Sequence, residues 1–358
     1  MSTYLNAKSN RIVELMDRSA EQRDADWLKE ATQQAILLEL ATLPPYLCGL
    51  WSIDDTGGDE RVPDALRVVV FDEMSHLGLA CNLLTTIGGT PRLADETVVP
   101  TYPGPLPGGV RPGLTVTLGG LTKASLEMYA QIEEPDDPVV NAGVAAHTSI
   151  GAFYTAILDA FRAHPELIRG FRQLTRNMEH HGSGNSVVPL TTLGAVESAI
   201  GVIKEQGEGT SASPENPHPG ERGELAHFYV FREIYHGREL VKVSDDPPRW
   251  AFEGPEIPMP RTLPMGIVPR GGWPREGPAA ADAGTTELLD TFNHSYSAML
   301  RLLEQAWQQD VPAQAKELLN NAVSRMFTLQ EPAQSLMRRP LPDGSGQTYG
   351  PEFRYVAP

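Results

Sequence analysis

Cysteine is almost missing from this chain: Cys48 and Cys81 are the only two in 358 residues. Two thiols supply neither a zinc-finger pattern nor a disulfide framework. Geometry also speaks against a bridge between them. If residues 25–43 and 63–87 are antiparallel helices with Glu39 level with Glu73, the cysteines lie beyond those levels in opposite directions. At about 1.5 Å per residue the separation is roughly 25 Å, outside disulfide reach. Both are read as small buried hydrophobes.

Long apolar runs are missing too. No stretch approaches the ~18 apolar residues of a membrane span, and no basic-then-apolar leader opens the sequence, so a cytoplasmic location is expected. Positive charge is scarce, with 29 Lys and Arg against 46 Asp and Glu and a formal net charge of −17. That balance argues against nucleic acid and anionic membrane surfaces as partners. A small-molecule substrate is expected instead, with homo-oligomerisation left open. Strand-like alternation is sparse, residues 115–120 being the best of a weak set.

What the chain does have is helical periodicity, and at 41% hydrophobic residues it has enough apolar surface for a core. The expected class is all-α, with minor β structure in loops. Residues 25–43 read as a helix, kinked or broken at Pro44-Pro45 and resumed by residues 46–53. A second runs from Pro63 to about Ile87 and stops at Gly88-Gly89. Further helices are expected over 122–135, 145–164, 165–182, 191–209, 221–237, 285–307 and 312–330. The 33 glycines and 31 prolines concentrate in residues 98–113, 211–223 and 244–278. Loops of that length in a compact domain are usually functional or disordered. Trp250, Phe252, Met259, Met265 and Trp273 mark the last as a segment that packs onto something. One domain spanning 1–358 is expected, with 25–135 and 140–240 as its halves and 244–358 as a proline-rich loop plus C-terminal helices.

The chemistry lies in two of these helices first. Leu66, Val69, Val70, Glu73, Leu77, Ala80 and Leu84 follow i, i+3/i+4 steps. Glu73 therefore sits inside an apolar stripe, with His76 one turn on. A buried carboxylate without a partner is costly, so a cation should meet it. On the preceding helix Ile36, Glu39, Leu40 and Leu43 share a face, and antiparallel packing brings Glu39 level with Glu73. A glutamate thus faces a Glu-x-x-His.

The same spacing recurs at Glu224-Leu-Ala-His227, expected to open a helix packed through Phe228, Phe231, Ile234 and Tyr235. Its partner acid is Glu205 or Glu208 on the helix before, both nearer the return loop than Glu197. Glu208 lies between Gly207 and Gly209, poor helix formers, and reads as a placed ligand. One Glu-x-x-His is a common accident, more often surface than site. Two, each with a partner acid, make up the ligand set of ferritin-like di-iron carboxylate proteins. Oxygen and imidazole donors suit iron, two ions being expected, with manganese as the second choice. Metal ligands are therefore expected among Glu39, Glu73, His76, Glu205, Glu208, Glu224 and His227, with Glu73, His76 and His227 closest to the chemistry. Bland readings suffice elsewhere: Glu197 as a solvent-facing acid, His180, His181 and His236 as helix-end histidines, His218 as a loop residue, and His147 and Tyr154 as core packing.

The segments LLELATLPPYLCGLWSI, DEMSHLGLACNLLTTIGGTPRL and YPGPLPGG resemble the ferritin-like family that includes the iminophenylpyruvate dimer synthases of violacein and indolocarbazole pathways. QGEGT, ELAHFYVFREIYHG and GPEFRYV are similar to its short, stand-alone members. The resemblance covers most of the chain, most strongly residues 30–135. It implies a ferritin-like bundle and a non-haem, di-iron, dioxygen-dependent oxidoreductase or oxygenase acting on an amino-acid-derived or other small metabolite, in natural-product biosynthesis. Dimer synthesis itself belongs to much longer chains. One departure stands out. Ala152 of SIGAFY occupies a place where relatives are expected to carry a carboxylate, a gap that Glu205 or Glu208 could fill. Two alternatives remain: a redox-silent metal-dependent hydrolase or isomerase, and a non-enzymatic metal-binding scaffold.

Overall fold

Asp24 starts the first long helix by accepting hydrogen bonds from the backbone N–H groups of Asp26 and Trp27, the usual way a short acid satisfies free donors at a helix start. In the computed structural model, which describes residues 10–54, 58–135, 149–178, 185–209, 213–216 and 224–358, that helix is α2 (Ala25–Trp51), preceded by the short α1 (Arg11–Met16). α2 runs unbroken through Pro44 and Pro45, so of the expected kink or break the break does not occur. Pro45 has no N–H for the carbonyl of Ala41. The Tyr102 hydroxyl donates to that carbonyl at 2.8 Å, so one freed acceptor is satisfied from outside the helix.

α3 (Arg61–Thr86) returns antiparallel to α2, as the pairs Gln33 with Arg92 and Thr42 with Glu73 show. It ends where Gly88 takes a positive φ and Gly89 N–H reaches back to Leu84 O, a glycine-dependent stop. α4 (Lys123–Ile132) packs beside α7 (His227–His236), α5 (Ile150–Ala163) beside α6 (Leu193–Gly207), and α8 (Ala283–Gln308) beside α9 (Pro312–Phe327). α10 (Gln330–Leu336) closes against α8 and α2. Among the described residues, strands are confined to two small antiparallel hairpins, β1 (Arg176–Asn177) with β2 (Ser186–Val187) and β3 (Val241–Asp245) with β4 (Pro248–Ala251). The fold is an all-α helical bundle with loop and strand segments.

Three expected elements differ. Within 165–178 there is one 3-10 turn, Pro165–Leu167, and no α-helix. The segment instead closes the end of α3: Arg169 N–H bonds Thr86 O, Gly170 N–H bonds Thr86 Oγ1, and Gln173 Nε2 bonds Asn82 O. Residues 224–226 are extended, Asn216 N–H bonding Glu224 O and Ala226 N–H bonding Pro214 O, so α7 begins at His227 rather than upstream of Glu224. Residues 115–120 form no strand, only an isolated bridge from Val116 to Gly104. Cys48 and Cys81 are free and buried. Trp273 is buried, its indole donating to Gly350 O, so the 244–278 segment does pack, onto the C-terminal strip. No helix among the described residues is long and apolar enough to cross a membrane. His147, His180, His181 and His218 lie outside the described residues.

Candidate metal centre

Five buried side chains from four helices meet between α2, α3, α4 and α7. Glu39, Glu73 and His76 form one triad, and Glu73, Glu133 and His227 a second, the ligand atoms within each lying within 4.8 Å of one another. Glu73 belongs to both. All five are at most 5% exposed, so water cannot solvate their charges. Glu133 follows the last residue of α4 and was not expected from the spacing. A signal for it exists, however, in the sequence: Leu126, Tyr129, Ala130 and Glu133 continue one helical stripe, the same pattern that singles out Glu73.

Glu73 Oε1 faces both imidazoles, 3.3 Å from His76 Nδ1 and 3.0 Å from His227 Nδ1. Glu39 Oε2 lies 3.8 Å from His76 Nδ1. The far ring nitrogens are tied outward. His76 Nε2–H donates to Gln206 Oε1 at 2.8 Å, and His227 Nε2–H to Asp72 Oδ2 at 3.3 Å. Gln206 Nε2 in turn donates to Asp72 Oδ1, so one aspartate supports both rings, one directly and one through an amide. This fixes each imidazole with its Nδ1 lone pair turned to the carboxylates, the orientation a ligating histidine needs. The outer carboxylate oxygens are held as well: Tyr154 donates to Glu39 Oε1, Tyr46 to Glu133 Oε1 and Thr42 to Glu73 Oε2, at 2.5, 2.5 and 2.6 Å. Tyr154, expected as core packing, is thus buried and bonded to the centre.

Facing one another are acceptor atoms only, an arrangement that needs either protons or cations between them. Burial, then the Glu73 charge, pushes Glu39 up to about 8 and Glu133 up to about 7. Burial works against Glu73 also, but His227 and His76 outweigh it and hold that carboxyl well below the usual range. Burial opposes charge on the imidazoles, yet Glu73 lifts His76 to about 9, and Asp72 with Glu73 lifts His227 far above its ordinary value. Left to protons alone, the cluster retains them into the alkaline range. A divalent cation among the same atoms would replace them, so the donor set fits oxygen-and-nitrogen-loving metals.

A cavity of about 20 Å³ adjoins the cluster, bounded by Glu39, Glu73, His76 and Glu133 together with Gly151, Lys204 and Glu208. That is room for roughly one water-sized guest. Glu208 reaches it from the C-cap of α6, its Oε1 accepting from Gly151 N–H at the start of α5. A Cβ on Gly151 would lie 2.2 Å from Glu208 Oε2, so a side chain at 151 would displace this carboxylate from its present place. Ala152 is the next residue along. Glu205 and Glu224 lie in neither triad; Glu224 precedes α7 on extended chain, so the expected i, i+3 pairing with His227 does not form. Residues 98–113 and 244–278 contribute none of the described lining of this cavity. Tyr46, Tyr129 and Phe231, with ring centroids 4.9–5.3 Å apart, make an apolar floor behind Glu133.

The sequence pattern of the ferritin-like family matches residues 32–236, more than half of the chain and the span that holds all five residues. Among solved structures, a ferritin like protein from Caulobacter vibrioides is similar over 92% of this chain and 97% of that one, with a TM-score of 0.58 and 20% sequence identity. At that identity the likeness establishes the fold. No curated protein matches the sequence.

Proposed function

Because the chain belongs to the ferritin-like family, we propose that Glu39, Glu73, His76, Glu133 and His227 hold two cations, iron by donor chemistry and manganese as the alternative. The protein is then a non-haem, dioxygen-dependent oxidoreductase acting on a small organic metabolite. The observation that carries this reading is the pair of buried triads sharing Glu73. Glu208, at the edge of the same cavity, supplies the carboxylate that Ala152 lacks. Iron bound there would provide the redox chemistry with dioxygen.

The chain's own residues set the conditions. Asp72 and Gln206 fix the imidazole tautomers. Tyr46 and Tyr154 donate to the outer oxygens of Glu133 and Glu39, which leaves the inner oxygens for the cation side and limits carboxylate rotation. The aromatic floor keeps water away, which strengthens each charge interaction in the centre. An amino-acid-derived substrate, as in the iminophenylpyruvate-type relatives that the sequence segments resemble, is the substrate class we assign.

The test is metal loading followed by oxygen consumption. Protein loaded anaerobically with ferrous iron and desalted should retain about two irons per chain, in line with the di-metal sites of this bundle class. It should then consume dioxygen on exposure to air. Retention of no iron would overturn the assignment, and retention without oxygen uptake would leave a metal protein that is not an oxidoreductase.

A further inference from the structure

Away from the five-residue cluster, one buried positive charge is short of partners among the described residues. Arg111 sits in the proline- and glycine-rich segment before α4 and is only 6% exposed. Its Nη1 lies 3.4 Å from Glu134 Oε2, a long contact for a charge-assisted bond. Its Nε and Nη2 find no acceptor among the described residues. A guanidinium, unlike a lysine amine, carries its charge into the interior. An ionic group in this state calls for an anion.

The free atoms define which anion. Nε and Nη2 form the side edge of the guanidinium, two parallel donors spaced to take the two oxygens of one oxyanion. The same edge is filled elsewhere in this protein: Arg11 uses its Nε and Nη2 on Oε1 and Oε2 of Glu30. At Arg111 the corresponding edge is built and buried, while Glu134 approaches the other nitrogen. The backbone is set for this placement. Arg111 has a φ of 52°, a region that costs an L-residue energy. The turn is closed by Leu114 N–H on Arg111 O and anchored by the buried Val110 just before it.

We propose that Arg111 is an anion-binding residue that takes the carboxylate of a small organic acid side-on. Glu134, its one described carboxylate neighbour, is adjacent in sequence to Glu133 of the metal cluster. That the bound acid is the substrate rests on the proposed function, whereas the binding itself does not.

Titration calorimetry on the full chain, metal-free and iron-loaded, with acetate, benzoate and inorganic phosphate as probes tests this. A carboxylate probe should bind with one site. Arg111→Lys keeps the charge but loses the fork, and should weaken binding by roughly tenfold or more. Glu134→Gln removes the competing carboxylate and should tighten it. Absence of binding by either carboxylate, or equal affinity in Arg111→Lys, would overturn the proposal. Phosphate binding more tightly than both acids would overturn the carboxylate assignment. If the Arg111 variant does not fold, the Glu134→Gln comparison decides, and an unchanged affinity there counts against the proposal. Iron stoichiometry is measured on the same samples, so failure of anion binding with two irons retained separates this inference from the metal assignment.

Discussion

Replacing Glu73 by glutamine removes one charge and almost no volume, yet it touches both triads. Glu73 Oε1 lies 3.3 and 3.0 Å from two imidazole Nδ1 atoms, and the carboxylate is 2% exposed. Breaking a buried pair of this kind costs about 3–5 kcal/mol, because the opposite charge stays behind uncompensated. The cost depends on pH. His76 has a folded-state value raised to about 9 by Glu73, so the stabilisation from its protonation is complete below its unfolded value of 6.5 and is lost as pH rises through about 9. Glu73 is shifted down, so its contribution is present above the ordinary 4.5 of a glutamate. The deficit of Glu73→Gln should therefore be largest between pH 4.5 and 6.5 and shrink toward pH 9. Urea unfolding of metal-free wild type and variant at pH 6 and pH 9 measures it. A deficit below about 1 kcal/mol at pH 6, or one that grows toward pH 9, would refute the electrostatic reading of the cluster.

Four further outcomes are expected. Iron affinity should rise from pH 6 to pH 9, as Glu133, Glu39 and His76, raised to about 7, 8 and 9, give up the protons that compete with metal; competition with a chelator of known affinity reads this. Asp72→Asn should weaken iron binding by about 10–100-fold while leaving the helical signal intact, because Asp72 supports both imidazoles without belonging to either triad; equal chelator competition would contradict that role. Tyr102→Phe should destabilise the protein by about 1–3 kcal/mol in urea, since it leaves the buried Ala41 carbonyl beside Pro45 without a donor. Gly78→Ala should cost about 1–3 kcal/mol, because its Cβ would meet Val187 Cγ2 at 2.5 Å; thermal melting detects it.

The α2–α3 half of the centre was legible from spacing alone. Long helices give many turns, and an acid held at core spacing among leucines and valines must meet a positive charge there. Glu39, Glu73 and His76 are brought together as the stripe implied. His227 was legible by type, but its partner was not. Glu224 has the right interval, yet that interval matters only within a helix, and pairing of residues 224–226 with 214–216 keeps Glu224 outside α7. Glu133 took the second acid's place. Being the cap of a ten-residue helix and followed by Glu134 and Pro135, it reads as a surface end unless the stripe from Leu126 is followed through. The 165–178 segment failed as a helix for a tertiary reason, since its backbone donors are used to finish α3. Proline did not break the helix at 44–45 for the converse reason: a hydroxyl from the distant Tyr102 restores the donor that Pro45 withholds from Ala41 O.

The most direct measurement is anomalous diffraction at the iron edge from crystals of the iron-loaded protein. Two peaks are expected, one enclosed by Glu39, Glu73 and His76 and the other by Glu73, Glu133 and His227. A single peak beside Glu205 or Glu224, or no peak among these side chains, would contradict the shared-Glu73 centre.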